Sequence, residues 1–244
     1  MTKPLILIAF LSTRVYACDA NIEDLVQSEF GTSYSHLVCK RNPVSDQETI
    51  VAFAGNTVNQ QNGTTINDAT TLIINNNKIT NRITEKSILV SDAIYLDDIK
   101  VDTAAYTISD DIRAFGIRFV FRGSSRVNPY TEEFINLYIK DHTKLNNVLS
   151  GLTTYEHSGE WDGMLCNGDF DISNYYLSVL PTKTHSFSDI LVTKKSEHEH
   201  TSESKIDCNS EVTKSPVKKY QILFDGTKYS VPKNLRSSLL NSKI

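Results

Sequence analysis

An antiparallel, all-β fold with one short N-terminal helix is the class the sequence predicts, and three observations predict it. Short runs rich in β-branched and aromatic residues recur along the chain, broken by Asn, Gly and Asp. One of them, "IRAFGIRFVFRG", alternates strictly. Arg113, Phe115, Ile117, Phe119 and Phe121 point one way, and Ala114, Gly116, Arg118, Val120 and Arg122 the other. Two-residue turn signals separate several of the runs. At this length a hairpin-rich meander closed into a β-sandwich is the expected arrangement, with a small propeller-like β fold as the alternative. The chain has no fixed-period repeat, which counts against the propeller.

The first seventeen residues read as an export signal. Lys3 is the positive start, "PLILIAFLS" the short apolar stretch, and Val15 and Ala17 the small residues before a cut ahead of Cys18. The apolar stretch is shorter than the ~20 residues a membrane helix needs, and no later segment is long and apolar enough to be one. Residues 1–17 are therefore expected to be a signal peptide and residues 18–244 a single β-rich domain, periplasmic or secreted. The sequon Asn62-Gly63-Thr64 matters only in a eukaryotic secretory route.

After Cys18, "ANIEDLVQSEF" sets Ile22, Leu25, Val26 and Phe30 at helical spacing, with Asn21 as the expected N-cap and Gly31 as the stop. "ETIVAFAG" and "TTLIINNNKITNRI" follow as strand patterns, the second turning at the Asn75-Asn76 pair. "EEFINLYI" and "KLNNVLSGL" fit either a period of two or one of 3.6. "LYIKDHTKLNNVL" is read as a hairpin, with a helix over 144–151 as the alternative. "SDILVTKKSEHEH" and "SKIDCNSEVTK" form a further strand pair, and "YQILF-DG-TKYSV" a hairpin on Asp225-Gly226.

Four cysteines remain after the leader, an even number that suits two disulfides in an oxidising compartment. Nearest-neighbour pairing gives Cys18–Cys39 and Cys166–Cys208, each stabilising by ~3–4 kcal/mol in the loop-entropy account. The competing reading is a lipid anchor on Cys18. It fits poorly, because Tyr16 is bulky where a small residue is wanted, and it would leave an odd thiol.

The chain carries 25 basic and 29 acidic residues; losing Lys3 and Arg14 with the leader takes the charge from −4 to about −6. That balance excludes nucleic acid or an anionic membrane surface as a general partner. No nucleophile elbow, zinc-protease helix, phosphate loop or dinucleotide fingerprint occurs, and no cofactor is implied.

Three stretches carry the candidate chemistry. In "GEWDGMLCNGDFD", Glu160 and Asp162 would share one strand face about 7 Å apart, within the roughly 5–10 Å of glycosidase pairs. Asp162, Asn167, Asp169 and Asp171 offer oxygens for calcium but lack the loop spacing of a dedicated site. The plainer expectation is a turn stapled through Cys166, with Trp161 covering the staple as core. In "EHEH", His198 and His200 share a face, two ligands where zinc needs three or four. In "RFVFRGSSRVNPY", Arg118 and Arg122 lie on the face away from the core. They lead to Ser124, Ser125, Arg126, Asn128 and Tyr130, a surface suited to a carboxylate, phosphate or sugar unless the arginines pair with neighbouring carboxylates.

The function expected is that of an exported, non-enzymatic binding protein for a protein, peptide or glycan ligand, presented from that loop surface. The alternatives are an exported hydrolase, on carbohydrate, using the carboxylates of 160–171, and a structural or envelope-assembly component.

Overall fold

The computed structural model describes residues 18–163, 166–203 and 207–240. The expected leader lies outside the described residues, as do residues 204–206. The fold is all-β with one short helix, as the sequence predicts.

The cap of helix α1 (Ala20–Phe30) lies two residues earlier than expected. Asp19, not Asn21, is the N-cap, its carboxylate accepting the Asn21 N–H at 3.1 Å. Gly31 ends the helix at φ 76°, a conformation glycine adopts without strain. Ile22 and Val26 pack on Cys39, Val51, Phe53, Leu72 and Ile74. Cys18 and Cys39 are joined with their Cα atoms 5.1 Å apart, which ties the helix start to β1 (Tyr34–Arg41).

The described strands make one twelve-stranded sheet. β2 (Glu48–Asn59), β3 (Thr65–Asn75) and β4 (Lys78–Ser91) continue from β1 as an antiparallel meander. β5 (Ile94–Ser109), β6 (Ile112–Gly123), β7 (Tyr130–Asp141) and β8 (Lys144–Trp161) make a second meander. The two join where β4 meets β8, so the path runs β1-β2-β3-β4-β8-β7-β6-β5. The sheet curls until β5 lies beside β1, and Lys40 Nζ donates to the Val101 carbonyl at 3.3 Å. Within the curl, Ile50, Ala52 and Ile73 of one arm meet Ile117, Phe119, Phe121 and Phe134 of the other. The two facing layers are thus arms of a single sheet, not separate sheets or radial blades.

The chain then adds β9 (Gly168–Thr184) along the far half of β8, and β10 (Phe187–Glu203) along β9. β11 (Cys208–Lys214) and β12 (Lys218–Ile222) both pair with β10, at its two ends. A second core lies between these strands and the outer face of β7 and β8, through Leu137, Leu149, Leu152, Ile190, Val192 and Ile222.

Burial on both faces explains the ambiguous stretches. Phe134 and Tyr138 of β7 enter the first core, while Ile135, Leu137 and Ile139 enter the second. The run is therefore almost continuously apolar, and its periodicity is blurred. Residues 144–151 are strand, and β7–β8 is the expected hairpin. The β3–β4 turn falls on Asn76 and Asn77 (φ 49° and 56°), one residue beyond the expected pair. The Asp225-Gly226 hairpin is reduced to a single Phe224–Tyr229 bridge, because β12 is taken by β10. Asp225 accepts the Thr227 and Lys228 N–H groups at 2.9 Å, which organises a four-residue turn instead.

The join between β4 and β8 is parallel and only one residue pair wide, Arg82 with Lys144. Side chains carry the rest. Asn81 Nδ2 donates to the His142 carbonyl at 2.7 Å and the Lys144 carbonyl at 3.2 Å. The Glu85 carboxylate accepts from Asn147 Nδ2 at 2.6 Å, from the Tyr138 hydroxyl, and from Asn136 Nδ2 at 3.4 Å. Burial raises the Glu85 carboxyl above its usual range despite those donors. Further along, residues 236–240 lie in the gap, bridging Arg236 to Leu152 and Leu240 to Leu89. Gly151 (φ 68°) makes room for them: a Cβ there would stand 2.7 Å from Leu240 Cδ2.

Gly151→Ala is expected to cost about 2–3 kcal/mol, from positive φ and from pressure on Leu240 together. Gly63→Ala, at φ 84° with nothing within 4 Å, should cost only about 1 kcal/mol. Urea unfolding of the two variants makes the comparison; equal losses would show that the 236–240 segment does not press on Gly151.

Candidate functional site

Strict alternation of β6 sends Phe115, Ile117, Phe119 and Phe121 inward and leaves Arg118, Val120 and Arg122 on the outer face. At the edge of the second core, marked by Tyr106 and Tyr175, that face opens into a groove of about 610 Å³. β5 to β7 form its floor and the Tyr155–Leu177 region of β8 and β9 its wall.

The floor is organised around Arg118. Its Nε and Nη2 donate to Asp102 Oδ2 at 2.8 and 2.6 Å, and its Nη1 donates to Glu133 Oε1 at 2.6 Å. Cross-strand register places the partners: Lys100 is opposite Arg118, and Glu133 is opposite Val120. A register shift between Asp102 and Tyr106 makes β5 bulge locally. The Ala104 N–H thus reaches Asp102 Oδ1 at 2.9 Å, and the Tyr106 hydroxyl donates to Asp102 Oδ2 at 2.8 Å. Thr154 Oγ1 and Lys100 Nζ complete Glu133 at 2.8 and 3.2 Å.

Burial works to raise the Asp102 carboxyl, but the Ala104 N–H and the Arg118 guanidinium overcome it and hold it below the usual range. Glu133 is lowered in the same way, burial being outweighed by Arg118, Thr154 and Lys100. Tyr106 is pushed up by burial and by the Asp102 charge, so its hydroxyl stays a donor. Arg122, more exposed, pairs with Asp97 at 3.0 Å.

The wall is aromatic. Tyr155, Tyr175 and Tyr176 line it beside Asn174 and Leu177. Lys194 Nζ stands 4.8 Å from the Tyr175 ring centre and Lys195 Nζ 5.2 Å from that of Tyr176. The Tyr175 hydroxyl donates to Glu156. Tyr176 remains 51% exposed, a large ring facing solvent.

Of the loop-surface candidates, Arg118 and Arg122 line this groove, and both pair with carboxylates of β5 or β7. Ser124, Ser125, Arg126 and Asn128 lie beyond it, on an exposed turn where Ser125 Oγ accepts the Asn128 N–H at 3.0 Å. The Tyr130 hydroxyl donates to Glu132 at 2.5 Å. That turn meets the "GEWDGMLCNGDFD" stretch: Trp161 N–H donates to the Val127 carbonyl at 2.7 Å, and Gly159 N–H to the Pro129 carbonyl at 3.1 Å.

Cys166 is joined to Cys208, with their Cα atoms 5.3 Å apart. With Cys18 bonded to Cys39, no cysteine is free, and Cys18 has no thiol to carry a lipid. Trp161 does not cover the staple as core; it is 38% exposed, because among the described residues no layer covers the far halves of β8 to β11. Glu160 lies opposite Asp169, and Asp162 follows the strand end, its N–H bonded to the Asn167 carbonyl at 3.0 Å.

Register also brings the acidic and histidine stretches together. His198 stands opposite Asp171 and His200 opposite Asp169, with His198 Nδ1 3.0 Å from Asp171 and His200 Nδ1 2.8 Å from Asp169. His198 is raised by its carboxylate partners and Asp169 lowered by His200. Among the described residues no group of three or more His, Cys, Asp or Glu converges to hold a metal. "GDFD" and "EHEH" share a period of two, and pairing them was the signal available in sequence. Asp102, Glu133 and the tyrosine wall carried no such signal, since they meet only through register. Compared with known families, curated proteins and solved structures, the chain matches none.

Arg118→Met is expected to cost about 3 kcal/mol at neutral pH, because it strands two part-buried carboxylates. Asp102 and Glu133 titrate lower folded than unfolded. Their contribution is therefore complete above about pH 4 and is lost as pH falls through the lowered folded values. The parent's advantage in urea unfolding should accordingly shrink between about pH 4 and pH 2. A constant advantage would assign the effect to packing.

Proposed function

We propose that this chain is an exported, non-enzymatic binding protein whose ligand surface is the groove between the Arg118 floor and the tyrosine wall. The observation that carries the reading is the Arg118–Asp102–Glu133 network. It fixes donors and acceptors in an open groove before any ligand arrives, which removes much of the ordering cost of binding. The rigid ladder beneath it and the aromatic wall beside it are what small-ligand sites generally combine.

Two disulfides are compatible with an oxidising compartment and with export. Among the described residues, no helix is long and apolar enough to cross a membrane. The hydrolase reading draws less support: Glu160 and Asp162 are both exposed, whereas catalytic groups generally sit in a cleft.

Intact mass of the exported fraction tests the compartment. The chain should begin at Cys18 and gain about four mass units on reduction, one hydrogen per cysteine. A retained leader or a free thiol would count against export. For the site, a ligand found by screening should lose about tenfold or more in affinity with Asn174→Trp, which fills the groove. Glu160→Gln and Asp162→Asn should bind as the parent does, and the reverse pattern would move the site to the 160–171 stretch.

A further inference from the structure

We infer that the groove takes a neutral oligosaccharide, an inference that rests on the binding reading above and names its ligand class. Charge decides first. Each cation of the groove floor already has a carboxylate: Arg118 has Asp102 and Glu133, Lys100 has Glu133, and Arg122 has Asp97. An anionic peptide or phosphate entering here must displace an internal partner at 2.6–3.2 Å and leave that carboxylate part-buried and unpaired. A cationic ligand meets the same obstacle from Arg118 and Lys100.

A hydroxyl meets neither. It donates and accepts through one atom, so it takes a spare guanidinium N–H and a spare carboxylate lone pair without disturbing the pair between them. Neighbouring hydroxyls on a sugar ring present that arrangement twice over. Arg118 uses three of the five N–H groups a guanidinium has, and Thr131 and Asn174 add neutral donors and acceptors along the groove.

The wall supplies the other half of sugar recognition. The C–H face of a pyranose is apolar and flat, and it stacks on an aromatic ring while its hydroxyls point sideways. Tyr176 is half exposed, with the Lys195 ammonium over one face of its ring, and Tyr155 lines the same wall. The Tyr106 and Tyr175 hydroxyls are already committed to Asp102 and Glu156, so those rings are fixed before binding. The volume, about 610 Å³, lies within the ~300–1,000 Å³ of small-ligand sites, and the groove's open side admits a chain of rings.

The test uses the oxidised full-length mature chain, titrated with maltotriose, cellotriose, chitotriose and mannotriose, and separately with hexaglutamate. Calorimetry gives affinity and amide chemical shifts give the location. At least one trisaccharide should bind and shift groove resonances, with affinity changing less than about twofold when salt is raised tenfold. Tyr176→Ala should weaken that binding about tenfold, and Tyr176→Phe should restore it, since stacking needs the ring and not the hydroxyl. Tyr176 is exposed, so near-ultraviolet dichroism of the alanine variant should match the parent. Hexaglutamate binding in the groove with a steep salt dependence, and no sugar binding, would overturn the sugar and leave the groove a binding site. Shifts confined to other faces, or none from any of the five probes, would overturn both.

Discussion

Between β4 and β8 the backbone ladder narrows to the Arg82–Lys144 pair, and side chains must supply the cohesion that repeated N–H···O bonds supply elsewhere. Both meanders depend on this join, because the first core exists only when their arms face each other. The solution is an acceptor surrounded by donors. Glu85 projects from β4 to Tyr138 and Asn136 of β7 and Asn147 of β8, and Asn136 turns its own oxygen to the Gly151 N–H at 2.8 Å. Glu85 is satisfied from three sides, while the buried Asn81 Oδ1 is left without a partner among the described residues. Directional bonds of this kind specify one register, whereas apolar contacts alone would tolerate sliding. Residues 236–240 then occupy the remaining gap.

The same chemistry recurs where the groove forms. Tyrosine hydroxyls donate to carboxylates at Tyr106–Asp102, Tyr130–Glu132, Tyr138–Glu85 and Tyr175–Glu156. Each pair fastens a large ring by its polar end while the ring packs against apolar neighbours. In the first meander's join this gives rigidity; on the outer face it gives a surface whose polar groups are already aimed. The groove is therefore a by-product of how β5 to β9 are braced, with Arg118 as the strut that ties β6 to β5 and β7.

Local features were legible in the sequence and pairings between distant segments were not. The alternation of β6, the helix, the disulfide partners and the β7–β8 hairpin all follow from spacing within one or two elements. Where two features compete locally, the reading slips: Asp19 outbids Asn21 for the cap, and the three-asparagine run turns one residue late. The join of β4 to β8 has no local signature, because Asn81, Glu85, Asn136 and Asn147 are polar residues in strands that look no different from solvated ones. The Arg118 site was half legible. Alternation put Arg118 on the outer face, but its carboxylates sit on β5 and β7, and only the ladder register brings them to it. Trp161 misleads for a related reason, since a tryptophan beside a disulfide suggests core unless one knows that no layer covers the strand.

The segment at 236–240 bears on when the fold can be completed as well as on how it is held. It lies after all twelve strands in the chain, yet it fills the space between the fourth and the eighth. Each meander can form from local contacts as it emerges during synthesis, but the curl cannot seal until residues more than two hundred positions after α1 have arrived. Until then the backbone ladder joins the two arms only through the narrow contact of β4 with β8. The closing piece follows every described strand, so the order of synthesis delays the seal and leaves each meander time to form by itself.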